Sequence, residues 1–133
     1  MIEFILHTKP ITKKNNGRIV KTKTGRTFII PSKQYQEFEQ VVLPTLYRMK
    51  NKYGVIDFPV NIECVFYTDA RRKVDLPNLL NAVDDALVKS GLLEDDNRDI
   101  VAGHDLSRVF YDKQNPRIEI RITPLENYEQ WKK

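Results

Sequence analysis

The sequence has one cysteine, Cys64, and two histidines, His7 and His104. A lone thiol excludes an internal disulfide and any multi-cysteine zinc site, so a metal bound here would be held by oxygen. Long apolar runs are missing as well. No stretch approaches the ~20 residues that a membrane span requires. The opening MIEFILHTKP carries Glu3 where a secretory leader is basic, and it lacks a small-residue cleavage site. These absences predict a soluble, cytoplasmic protein with no membrane partner and no organic cofactor. Repeats, low-complexity tracts and linkers are also absent, so residues 1–133 are expected to form one compact domain.

Charge is present, and its placement is uneven. The formal net charge is +4 and the pI about 9.2, compatible with a polyanionic partner without demanding one. From Lys9 to Lys33 the chain has Lys9, Lys13, Lys14, Arg18, Lys21, Lys23, Arg26 and Lys33 and no acidic residue, whereas carboxylates dominate from Asp84 to Asp99. The sequence therefore describes a basic arm and an acidic centre.

Periodicity predicts an α+β fold, a mixed sheet packed by helices. IEFIL reads as a first strand, RIVKT and RTFII as a hairpin around Gly25, and FPVNIECVFYT as a half-buried strand with Val60, Ile62, Cys64 and Phe66 on one face. Cys64 is expected to be a buried small hydrophobe. Ser32 is a natural N-cap for a helix with Tyr35, Phe38, Val41, Val42 and Leu46 on its apolar side, and Pro44 predicts a kink or an early end. A second helix follows Asp75, with Leu76, Leu79, Leu80, Val83, Ala86 and Leu87 as its stripe and Gly91 as its stop. Two late strands are expected near IVAGHDLSRVF and RIEIRIT, with Asn115-Pro116 as turn chemistry between them. The tail bearing Trp131 is left open.

Asp75 stands at the entrance of that second helix and Asp95 and Asp96 just past its end. A straight helix from Pro77 to Ser90 is roughly 20 Å long, so the two groups meet only if the loop after Gly91 returns or if a partner chain supplies one of them. Neighbouring carboxylates repel unless a cation offsets them. Magnesium does so with a few carboxylate oxygens plus water, leaving positions open for phosphate. Spacing alone equally allows an ordinary N-cap at Asp75 and a solvated acidic loop at Asp95 and Asp96. Asp84 and Asp85 are expected to be surface charge, and His104 structural rather than a general base.

The segment RRKVDLPNLLNAVDDALVKSGLLEDDN resembles the central motif of RusA-type Holliday-junction resolvases: a basic stretch, Asp-Leu-Asp-Asn-Leu, a helix with Asp-Ala-Leu, a glycine and a terminal Asp-Asp. Asp75, Leu76, Asn78 and Leu79 match the first part, Asp85-Ala86-Leu87 the middle, and Gly91 with Asp95-Asp96 the end. KPITKKNNGR and GRTFIIPSKQY are similar to the family's opening. The resemblance implies an intertwined α+β homodimer, often of phage or prophage origin, that nicks four-way junction DNA in pairs during recombination and repair. It also implies magnesium, for which manganese can substitute, held by residues matching Asp75 and Asp96. Two positions depart from the pattern. Pro77 stands where a second aspartate is expected and Asn81 where a lysine is. Pro77 keeps the helix start and removes a ligand, so Asp95, or after it Glu94, Asp69 or Asp105, would compensate, or more water would.

Lys13, Lys14 and Asn16 in the N-terminal loop and Arg71, Arg72 and Lys73 beside Asp75 are candidate phosphate contacts; Arg108 and Arg117 either touch DNA or tie a turn to Asp105 or Asp112. Three functions follow: a magnesium-dependent junction endonuclease, a non-catalytic nucleic-acid-binding module that lost a ligand at Pro77, and a different magnesium-dependent phosphoryl hydrolase.

Overall fold

A computed structural model describes residues 1–12, 18–30 and 32–125. Lys13, Lys14, Asn16, Pro31 and the Trp131 tail lie outside the described residues. The described chain is α+β, with a five-stranded mixed sheet, a separate two-stranded hairpin and two helices.

Three strands form the antiparallel part of the sheet. β1 (Ile2–Leu6) pairs with β7 (Arg117–Pro124), which pairs with β4 (Val60–Thr68). Side chains alternate along each, as the period of two demands. Leu6, Ile62, Cys64, Phe66, Ile118, Ile120 and Ile122 point into the core, while Glu3, Ile5, Glu63, Val65, Tyr67, Glu119 and Arg121 occupy the other face. The other edge of β4 takes two short parallel partners, β5 (Val101–Gly103) near its start and β6 (Arg108–Tyr111) near its end.

The single strand expected around IVAGHDLSRVF is therefore two. Residues 104–107 leave the ladder because Leu106 adopts a left-handed φ of 71° and Ser107 N donates back to His104 O at 3.2 Å. Asn61 clamps the same turn, accepting from Asp105 N at 2.8 Å and donating to Asp105 O at 3.3 Å.

α1 (Lys33–Tyr53) and α2 (Leu76–Ser90) bury their apolar stripes in the same core. Ser32 Oγ caps α1 by accepting from Tyr35 N at 3.1 Å. Pro44 neither ends α1 nor divides it. Although an interior proline removes one helical hydrogen bond, Val42 and Leu46 on either side of it are fully buried, and that packing carries the helix through. Val41, expected on the stripe, is exposed. Lys89 of α2 reaches Glu39 of α1 at 2.6 Å, linking the helices beside the core. Cys64 is fully buried, and burial, then the charges of Asp84 and Glu63, push its thiol well above the usual range.

Gly91 closes α2 in the left-handed conformation, φ 83° and ψ 3°, with its N–H donating to Val88 O. An added Cβ would carry the αL penalty and also meet Lys50 Nζ at 2.8 Å. Gly91→Ala is therefore expected to cost about 1–2 kcal/mol, measured as a lowered denaturation midpoint with an unchanged m-value.

β2 (Arg18–Lys21) and β3 (Thr27–Ile30) pair in the register Arg18↔Ile30 to Lys21↔Thr27, and their turn uses Gly25 at φ 84°. Lys21, Lys23 and Arg26 are exposed on this hairpin, which forms a sheet of its own among the described residues.

Candidate active site

The end of β4 and the start of α2 carry the first half of the site. After Thr68 the chain runs through Arg71, Arg72 and Lys73, all exposed, to Asp75 at the N-cap position. Asp75 has extended backbone angles, and its main-chain oxygen accepts from Asn78 N at 3.1 Å and Leu79 N at 3.3 Å. Its carboxylate makes no capping bond to the helix; Oδ2 accepts only a long contact from Asn78 Nδ2 at 3.4 Å. The helix start is secured by Pro77 in its first turn, where the missing N–H has no intrahelical partner to lose. Asp75 is an exposed carboxylate that the helix does not consume.

The second half lies in the loop after α2. Leu92 and Leu93 are fully buried, Leu93 N donates to Leu87 O, and the segment pairs with Ile56 on both sides through Leu92 O and Glu94 N. These anchors turn the chain back along α2. Asp95 braces the loop that follows: Oδ1 accepts from Asp96 N at 2.7 Å and Oδ2 from Asn97 Nδ2 at 3.2 Å. Asp96 is exposed, yet partial desolvation, then the side chain and charge of Asp95, and the charge of Asp85 together push its carboxyl above the usual range. Only the part of that rise owed to the like charges of Asp95 and Asp85 is one that a cation would relieve.

Among the described residues no three His, Cys, Asp or Glu side chains stand close enough to hold a metal ion. Asp85, the charge Asp96 senses, lies ten residues beyond Asp75 in α2, a rise of about 15 Å. The carboxylates considered as replacements are engaged or exposed elsewhere. Asp69 accepts an ion pair from Lys9 at 2.8 Å, which holds it below the usual range, Asp105 is clamped to Asn61 through its backbone, and Glu94 is exposed beside the Ile56 pairing. The described residues of one chain thus offer no three-carboxylate site, and Asp75 and Asp96 are the carboxylates whose chemistry suits a magnesium ion completed by water.

Asp84 is not surface charge. Only Asp85 of the pair stays partly exposed, while Asp84 turns into the core, where its Oδ2 lies 2.8 Å from His104 Nε2. His104 Nδ1 is 2.9 Å from Ile62 O. Both ring nitrogens face oxygen acceptors, and only the imidazolium has a proton for each. Burial works against that proton, but the hydrogen bond and charge of Asp84, with the Ile62 carbonyl, outweigh it and raise the His104 pKa. The second Asp84 oxygen is buried without a hydrogen-bond partner among the described residues. His104 thus has a partner that the sequence reading did not find, and its sign in the sequence was an aspartate on the margin of an apolar stripe.

The arginines divide by role. Arg71 and Arg108 are exposed, Arg71 with its guanidinium 4.1 Å from the Tyr111 ring centre. Arg117 is held by Asp112 and Glu119, each at 2.9 Å, with its guanidinium 3.7 Å from the Tyr67 ring centre. Among the described residues no helix is long and apolar enough to cross a membrane.

Comparison with known proteins finds sequence similarity along most of the chain. The family model described as Endodeoxyribonuclease RusA matches residues 8–123. A relative from Aquifex aeolicus (strain VF5), described as Crossover junction endodeoxyribonuclease RusA, is 28% identical over 120 residues, covering 90% of each chain.

Proposed function

Because the chain belongs to the RusA endodeoxyribonuclease family, we propose that it is a magnesium-dependent endonuclease that resolves four-way DNA junctions by paired nicks as a homodimer. The observation that carries the reading is Asp75, a carboxylate at a helix start that makes no capping bond and follows three exposed cations after one intervening residue, Val74. In this reading Asp75 and Asp96 are the metal ligands. Asp95 assists by holding the turn that presents Asp96. Two half-sites separated in one chain are joined across the two-fold axis, Asp75 of one copy facing Asp96 of the other. A symmetric dimer built this way carries two equal sites, which suits a substrate with two strands to cut.

When bound, magnesium or manganese would supply an activated water and stabilise the departing oxygen of the phosphodiester. The chain's own residues do the rest. Arg71, Arg72, Lys73 and Arg108 hold phosphates without reading sequence, and the basic arm, including Lys13, Lys14 and Asn16, embraces the duplex arms. Pro77 keeps α2 in register while leaving one coordination position to water.

The test is cleavage of an end-labelled four-way junction and a linear duplex of the same sequence, with magnesium, calcium or chelator. Paired nicks confined to the junction and dependent on magnesium are expected. Tight junction binding with no nick in any metal would move the protein to the non-catalytic class. If four cations per chain neutralise phosphates, eight in the homodimer, junction affinity should fall by about ten-thousandfold between roughly 50 and 200 mM salt. A flat salt profile in a filter-binding titration would remove these residues from the interface.

A further inference from the structure

We propose that Tyr67 and Phe110 form a stacking platform for one unstacked nucleobase of the DNA, on the sheet face opposite the helices. This deepens the junction-nuclease reading and rests on it. Tyr67 and Phe110 are register neighbours on the parallel strands β4 and β6, with ring centres 5.7 Å apart and planes tilted by 37°. Arg117, the partner of Tyr67 on β7, extends the row onto a third strand and lies over the Tyr67 ring at 3.7 Å. Its ion pairs to Asp112 and Glu119 hold it there. Tyr67 is therefore covered on one side, and the open surface belongs to Phe110, which is 51% exposed.

A single exposed aromatic is ordinary surface. This one differs in being held in a row of three side chains on adjacent strands, an arrangement whose flat faces accept any base by stacking. Its position selects the occupant. The Thr68 hydroxyl lies 3.2 Å from Phe110 O and 3.0 Å from Ala70 O, joining the platform to the start of the connection that carries Arg71, Arg72 and Lys73. Phosphates would find cations at the strand end, and an adjacent base would find the ring. The same connection continues to Asp75, so a base parked on Phe110 would fix the branch point relative to the carboxylate proposed to act there.

The experiment places 2-aminopurine at the branch point of a four-way junction and compares the intact protein with Phe110→Ala and Phe110→Trp, alongside linear duplex and a single-stranded oligonucleotide. The intact protein is expected to raise the probe's fluorescence as the base leaves its neighbours. Phe110→Ala should bind the junction about 10-fold more weakly and leave the probe dark, while duplex affinity, carried by phosphates, stays the same. Phe110→Trp should restore the junction affinity. The platform is overturned if Phe110→Ala matches the intact protein on the junction, if it loses junction and duplex affinity alike, or if Phe110→Trp binds the junction as weakly as the alanine variant does. Should the intact protein fail to prefer junction over duplex, the nuclease reading is what fails. The single-stranded oligonucleotide then decides the platform: weaker binding by Phe110→Ala supports it, and equal binding ends it.

Discussion

Asp75→Asn and Asp96→Asn, each unable to cut a four-way junction alone, are expected to recover activity when the two variants are mixed and allowed to exchange subunits. The expectation follows from the separation of the two acidic groups along α2 and from the absence, among the described residues, of a three-carboxylate cluster in one chain. Removing a group that merely supports a metal ligand lowers activity or affinity by about 10–100-fold, so losing a ligand itself should cost about a hundredfold or more. Junction binding should persist in both variants, since neither aspartate holds phosphate. In a mixed dimer one composite site has lost both carboxylates and the other keeps Asp75 from one chain and Asp96 from its partner. With random exchange half of the dimers are mixed, so nicking should return to about a quarter of the intact rate. The nicks should also be single, because the opposing site in the same dimer is dead. A mixture that forms dimers by sedimentation yet stays inactive would place both aspartates in the same site of the same chain.

The second large effect concerns stability. His104→Ala leaves the Asp84 carboxylate in the core with neither oxygen hydrogen-bonded, and breaking a buried pair from one side costs about 3 kcal/mol. The pH dependence has a definite sign. The folded-state pKa of His104 is raised above the 6.5 of a free histidine, so its contribution is fully present below that value and is lost as pH rises through the folded pKa. Asp84→Asn, which removes the charge that favours the imidazolium, should therefore be most destabilising in mildly acidic buffer and approach the intact protein as the pH rises beyond the folded pKa. Chemical denaturation of both proteins across that range measures it. A difference that stays constant with pH would mean that His104 is neutral in the folded chain.

Much of the architecture was legible because it is local. Hydrophobic periodicity located α2 and β4 closely, Gly91 marked the helix end, and Ser32 marked the start of α1. Periodicity failed where tertiary contacts override local preference. Pro44 reads as a breaker, yet Val42 and Leu46 hold it inside a continuous helix. IVAGHDLSRVF reads as one strand, but Asn61, distant in sequence, binds Asp105 and opens a turn that divides it. Asp84 reads as surface charge because its pairing with His104 spans twenty residues and crosses from helix to turn.

By itself the sequence determined the α+β class, the order and type of most elements, the segregation of basic arm from acidic centre, and a motif specific enough to indicate the family. All of these reside in short-range pattern: residue spacing, capping chemistry and charge counted along the chain. Tertiary structure alone decided that Asp75 is free of its helix while Asp95 is committed to a turn. It also decided that Arg117 lies flat on Tyr67. These depend on which strands become neighbours and in what register, and a one-residue slip in that register turns every side chain to the opposite face.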